Sequence, residues 1–331
     1  MQTFASALAL AGAGFAAIYA FYPVPRLSSK IEKWRANGSY KMFRDCKVYY
    51  RDEEGRRDND AILLIHGFTQ SSYDWRRICS QLKTINRRVV SVDMLGCGFS
   101  DKPSNTTYDL AFHADLYEHM MYELGIQDVH IFASDMGANV AMELLTRYED
   151  RKRSKTSGSA QNLNINSLCV LNGRVIVEDT YIMPIEKIIL LPYVGAFIAR
   201  YVYGFHLFAN TIFKFYGPTS KPSQSELKDT WAIFCWNNGN AIINKFVYYT
   251  VDRINQANRH AKTLQETNVP RYFIFGMADS HISKTIIDTW KRKVSEDSIA
   301  ELDQAGHYPH LEKPQETFEI YKNFRKSLLS N

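Results

Sequence analysis

The feature that most constrains this chain is an alternation. Short apolar, β-branched runs at Lys47–Tyr50, Ala61–Ile65, Arg88–Asp93, Val129–Ala133, Leu168–Leu171, Arg271–Phe275 and Ser298–Leu302 are separated by longer segments of helical periodicity. The clearest of these segments are Tyr108–Leu124, Gly137–Tyr148 and Gln315–Leu329. Parallel strands need helical crossovers, so the order predicts an α/β core with a mostly parallel sheet. The chain has 331 residues, 45% of them hydrophobic. That is enough to bury one large core and still carry an insertion. The alternation stops from 174 to 268, where the pattern is helical and rich in tyrosine, phenylalanine and tryptophan. Strand patterns resume afterwards, so this stretch is an inserted helical cap that divides the core into 41–173 and 269–331. There is no internal repeat or long low-complexity segment.

The N-terminus has its own character. No charged side chain precedes Arg26, and Phe4 to Tyr22 is apolar apart from Ser6. At a rise of about 1.5 Å per residue, such a helix crosses most of a bilayer core of about 30 Å. Tyr19 and Tyr22 suit the interface. The run lacks the basic start of a signal peptide, so residues 1–23 read as an uncleaved transmembrane anchor. Pro23 and Pro25 end it, and a linker over 24–40 follows. Arg26, Lys30, Lys33 and Arg35 then favour a cytosolic main domain. The glycan acceptor patterns at Asn37 and Asn105 would matter only in the opposite topology.

The net charge of +5 owes much to Arg151-Lys152-Arg153-Ser154-Lys155. So short a run reads as a solvated loop rather than a nucleic-acid surface. The five cysteines are scattered, odd in number and without CxxC spacing. They read as reduced and structural, with no metal or organic cofactor implied.

The chemistry centres on Ile131-Phe-Ala-Ser-Asp135-Met-Gly137-Ala138, where an apolar strand runs directly into a helix. A nucleophile on such a strained turn needs small neighbours two positions away on each side. Centred on Asp135 these are Ala133 and Gly137; centred on Ser134 they are Phe132 and Met136. The register selects Asp135. Taken alone, an aspartate there reads equally well as a helix N-cap. Ile65-His66-Gly67-Phe68 follows the second strand and offers a backbone amide at Phe68. With the Met136 amide it would form an oxyanion hole. Asp93 and Asp101 in the glycine-rich loop after the third strand read as structural. Phe275-Gly276-Met-Ala-Asp279 ends a strand with an acid, and Gly306-His307-Tyr-Pro-His310 follows the last strand. His307 fits a base oriented by Asp279 better than His310 or His281.

In this order the residues resemble the α/β-hydrolase superfamily, and within it the epoxide hydrolase and haloalkane dehalogenase branch, which uses aspartate. The chain also resembles the mesoderm-specific transcript protein family over nearly its whole length. The shared segments include the N-terminal run with its proline pair, His66–Trp75, Gly98–Pro103, Ser134–Gly137, Ser167–Gly173, Tyr216–Ser223 and His307–Glu312. The resemblance implies a location at the endoplasmic reticulum membrane and carries over no physiological substrate; the substrate expected for such an enzyme is a small hydrophobic or lipid-like molecule. Related dehalogenases bind halide through a tryptophan after the nucleophile and often an asparagine after His-Gly. Met136 and Phe68 stand there instead, which disfavours dehalogenation. Epoxide hydrolases usually have proline where Thr69 stands, and they use two cap tyrosines as acids. The cap offers Tyr181, Tyr193, Tyr201, Tyr203, Tyr216, Tyr248 and Tyr249, of which Tyr249 is nearest the expected position. The expectation is therefore an epoxide hydrolase-like enzyme. The alternatives are a membrane-lipid esterase or acyltransferase, and a tethered scaffold without catalysis.

Overall fold

A computed structural model describes residues 25–55, 60–154, 163–176, 182, 184–191, 193–280 and 284–329, with Ser6, Leu10 and 12–14. Most of the expected anchor lies outside these residues, as do Tyr181 and His281. No helix among the described residues is long and apolar enough to cross a membrane.

The strands are β1 (Ser39–Phe43), β2 (Cys46–Glu54), β3 (Ala61–Ile65), β4 (Arg88–Val92), β5 (Asp128–Ser134), β6 (Asn164–Leu171), β7 (Arg271–Gly276) and β8 (Ile299–Leu302). They form one sheet in the order β1-β2-β4-β3-β5-β6-β7-β8. The contacts of β2 with β1 and β4 are antiparallel, and all others are parallel. Among the described residues, helices of eight or more residues are α1 (Ser29–Ala36), α2 (Leu110–Glu123), α3 (Met136–Arg153), α4 (Phe205–Phe215), α5 (Gln224–Cys235), α6 (Tyr249–Glu266), α7 (Lys284–Lys293) and α8 (Pro314–Ser327).

Side chains alternate across a strand, and here the alternation sorts the core into two layers. Leu63, Ile65, Ile131, Ala133, Val170, Phe273 and Phe275 face one cluster with Trp290 of α7. Ile62, Leu64, Phe132, Cys169, Leu171 and Ile274 face the other, with Trp75 and with Tyr321 and Phe324 of α8. Every residue of β3 is buried. A strand covered on both faces reads as an unbroken apolar run, as this one does.

The expected linker carries α1 and leads into edge strand β1, which is mostly exposed and so lacks an apolar signature. One expectation is corrected. Arg151–Arg153 form the last turn of α3 rather than a loop. Arg151 pairs with Glu118 at 2.6 Å and donates to the Leu163 carbonyl at 3.1 Å. The five cysteines are all free thiols.

Between β6 and β7 the chain leaves the sheet and builds α4, α5 and α6 with shorter helices. Their packing makes a separate apolar cluster around Phe208, Trp231 and Phe234, joined to the core by Tyr308 and Leu311. Helix α6 is pinned to the core through polar contacts. His260 and Arg259 reach Glu143 of α3 at 3.0 and 2.5 Å, and Asp252 accepts the Leu110 amide at 2.8 Å.

Helix α3 starts so close to β3 that a Cβ on Gly137 would lie 2.5 Å from both the Ile65 and His66 carbonyl oxygens. Those atoms are backbone and cannot swing aside. Gly137→Ala should therefore destabilise the fold by about 1–3 kcal/mol despite alanine's better helix propensity. Urea unfolding of the variant against wild type measures this, and an unchanged midpoint would contradict the close approach.

Candidate active site

In a parallel sheet the carboxyl ends of the strands open onto one edge, and ligands bind there. Gly67 and Phe68 follow β3, Asp135 follows β5, Asn172 follows β6, Asp279 lies beyond β7 and His307 beyond β8. The cap arches over this edge.

Asp135 sits between β5 and α3 with φ 51° and ψ −121°. An L-residue rarely adopts this conformation, and holding it costs about 1–3 kcal/mol. The turn aims the carboxylate away from the helix: the side chain makes no N-cap hydrogen bond, so the capping reading is set aside. Instead, the Phe68 amide donates to Asp135 Oδ2 at 2.8 Å, and the adjoining Met136 amide helps to stabilise the charge of this carboxylate. Gly67 permits the approach, since a Cβ there would lie 2.7 Å from Oδ2. The loop is braced by Gln70, whose Oε1 accepts the Gly67 amide at 2.7 Å. His66 ties it to β4: Nδ1 meets the Gly67 carbonyl at 2.9 Å, and Nε2 accepts the Met94 amide at 3.0 Å.

His307 faces Asp135 with Nε2 3.5 Å from Oδ1, while its Nδ1 donates to Asp279 Oδ2 at 2.6 Å. Burial alone would lower the His307 pKa, but Asp279 first and then Asp135 raise it to about 10. Burial alone would likewise raise the Asp135 pKa. His307 and the Phe68 and Met136 amides outweigh this and hold it below its ordinary value. At neutral pH the arrangement is an imidazolium between two carboxylates.

The structure thus brings Asp135, His307, Asp279 and the Phe68 and Met136 amides together. His310 is elsewhere: it is buried, stacked on Trp75 at 4.6 Å, and burial pushes its pKa down to about 3. Asp93 accepts the Ser72 and Phe99 amides, and Asp101 accepts the Lys47 amide, so both hold loops.

Above Asp135 lies a cavity of about 170 Å³. Its apolar wall includes Ile189, Ile212, Phe215, Ile243 and Val247 of the cap. Two tyrosines of the cap, Tyr203 and Tyr249, also line it. Tyr249 begins α6 and is packed on Phe68, ring centroids 5.6 Å apart. Burial, aided by the Asp135 charge, raises its pKa far above the phenol range; burial pushes Tyr203 up to about 12. Tyr193, Tyr201, Tyr216 and Tyr248 do not line the cavity.

Several residues of the site were not evident from the sequence. Asn172 has φ 42° and stands behind Asp279, donating from Nδ2 to Asp279 Oδ2 at 2.8 Å and to the Gly306 carbonyl at 3.1 Å. Its Oδ1 accepts the Gly276 amide at 2.8 Å. The Asn-Gly pair straight after an apolar strand was the available signal. Arg174, Glu186 and Arg253 are buried and give the cavity a charged pole, which no local pattern announces. Glu312 fastens the histidine loop to the cap. It accepts the Gly306 and Tyr308 amides at 2.9 and 3.0 Å, and the Gly217 amide and Ser220 hydroxyl at 2.7 Å each.

A family model described as the α/β hydrolase fold matches residues 60–314. The mesoderm-specific transcript protein of Mus musculus is 30% identical over 316 residues, covering 94% of this chain and 92% of that protein. Among solved structures, a haloalkane dehalogenase from Bradyrhizobium elkani superposes with TM-score 0.70 at 17% identity, covering 88% of this chain and 98% of that one. An epoxide hydrolase superposes with TM-score 0.66 at 18% identity, covering 88% and 99%. These two likenesses establish the fold alone. With the sheet order, the strand-end constellation and the whole-length match in agreement, this chain belongs to the α/β hydrolase family and, within it, to the mesoderm-specific transcript family.

Proposed function

We propose that this protein is a membrane-anchored hydrolase with Asp135 as nucleophile, acting on an epoxide of a hydrophobic or lipid-like molecule. The observation that carries the reading is the Asp135 carboxylate itself. It stands on a strained elbow, ionised, with two amides on one side and a histidine–aspartate pair on the other. A helix cap or a scaffold requires none of this.

In the first step an Asp135 oxygen attacks an epoxide carbon, and the carbon–oxygen bond of the ring breaks. The alkoxide takes a proton from a cap tyrosine. Tyr249 was the expected acid, and the shared cavity supports Tyr203 as its partner. The ester that forms no longer carries the Asp135 charge. His307 then faces one carboxylate instead of two, so its pKa falls, its proton passes through solvent to the tyrosinate and it becomes a base. In the second step His307 takes a proton from water, which attacks the ester carbonyl carbon. The Phe68 and Met136 amides hold the resulting oxyanion. Collapse expels the alkoxide, which takes the proton of the new carboxyl group, so a diol leaves with Asp135 ionised and His307 again an imidazolium. The cavity walls support an apolar substrate body. The Arg174, Glu186 and Arg253 pole supports a polar group at one end. Residues 1–23 serve as the anchor, in the endoplasmic reticulum membrane.

Three results are expected. Asp135→Ala should abolish turnover of an epoxide, and His307→Gln should accumulate an adduct of substrate mass on intact mass spectrometry. If wild type turns over and the glutamine variant carries no adduct, the covalent route is wrong. Single turnover in oxygen-18 water should put label into Asp135; label confined to the product would instead mean direct attack by water. The third concerns pH. His307 has its pKa raised from 6.5 to about 10 by folding, so its contribution to stability is full below pH 6.5 and is lost as pH climbs through about 10. Thermal melts of wild type should therefore lose ground to His307→Gln across that window. Parallel curves would show that the imidazolium is not held as described.

A further inference from the structure

The cap has an outer face that the chemistry at Asp135 does not use. Nine of the large hydrophobic side chains that stand exposed among the described residues fall between Ile185 and Phe213. Leu191, Tyr193, Val194 and Phe197 are 50%, 90%, 48% and 52% exposed. They surround the junction of two short helices, Pro184–Ile189 and Val194–Phe197. Gly195 is buried in that junction, and a Cβ there would collide with the Ile189 carbonyl. The close backbone contact fixes one side of the second helix inward and leaves Val194 and Phe197 outward. Tyr193 enters the helix at φ 62°, a conformation unfavourable for a tyrosine, with its ring almost wholly in solvent. An apolar face of this extent marks an interaction site.

Charge says what covers it. From Lys187 to Ser225 the sequence has no aspartate or glutamate, while it holds Lys187, Arg200, Lys214 and Lys221. The chain's 35 acidic residues would on average put about four in a stretch of that length. Lys187 and Lys214 are exposed among the hydrophobic side chains. A stretch of exposed apolar side chains interspersed with lysines and free of acids along the chain complements an anionic headgroup layer over hydrocarbon. A second copy placed on the same face would set cation against cation. The face is also continuous with the cavity. Ile185 and Leu207 are 49% and 44% exposed on the outside, and both line the wall above Asp135.

We propose that this face of the cap docks onto an anionic lipid bilayer and opens the Asp135 cavity directly to it. An apolar molecule then passes from bilayer to cavity without crossing water. The docking depends neither on what Asp135 attacks nor on residues 1–23.

The test places an environment-sensitive nitrobenzoxadiazole label at Phe197→Cys in the full chain. The background is Cys46→Ser, since the other four cysteines are buried. The control carries the label at Tyr122→Cys, an exposed position on α2. The probes are vesicles of phosphatidylcholine, with or without a minor share of phosphatidylserine. On the anionic vesicles the label at 197 should shift to the blue and brighten several-fold, while the label at 122 stays unchanged. Lys187→Glu with Lys214→Glu should reduce the response at 197 to its level on pure phosphatidylcholine. Three results would overturn the proposal: no response at 197, an equal response at 122, or a vesicle-independent response that grows with protein concentration and so reports a second copy.

Discussion

The structure depends on one strained turn. Asp135 is held at φ 51° between the central strand β5 and helix α3, and everything near it is arranged to tolerate that conformation. Gly137 lets the helix start against β3, Gly67 lets the neighbouring loop approach the carboxylate, and Ala138 lies against Gly173 at the end of β6. The strain of about 1–3 kcal/mol is offset by two buried apolar layers that fix the strand and the helix independently. In return the carboxylate points into a cavity rather than along its own helix.

Electrostatics then follow from position. Three ionised groups in a row, Asp135, His307 and Asp279, would be costly to bury singly and are tolerable because opposite charges alternate. Asn172 spends its amide on Asp279 and on the turn that carries His307, so the ring is aimed from two directions. The same alternation couples the two ends of the row. Loss of charge at either end would weaken the hold on the proton at the centre.

Much of this was legible in the sequence because it rests on local patterns. The five-residue run Ala61–Ile65 could only be a covered strand, and the spacing Ala133–Asp135–Gly137 singled out one residue over its neighbour. Asp279 and His307 were readable because each closes a strand. Strand β1 was not, since an exposed edge strand has no apolar alternation to read. Nor were Arg174, Glu186 and Arg253, which reach the cavity only through the path of the cap, and nothing set Tyr203 apart from the other cap tyrosines. Sequence distance carries no information about that path. Glu312 was quoted within a motif, but its role depends on a cap loop some ninety residues earlier in the chain.

Glu312 also bears on how such proteins can diversify. One carboxylate accepts donors from Gly306 and Tyr308 of the core and from Gly217 and Ser220 of the cap. Its lone pairs are shared across the boundary, so a different core would leave the cap's Gly217 amide unanswered, and a different cap would leave this buried carboxylate short of two donors. The cap is therefore not a free module. A graft from a relative would have to bring along a loop that presents an amide and a hydroxyl to this same acid, and its specificity could vary only in the helices beyond that loop.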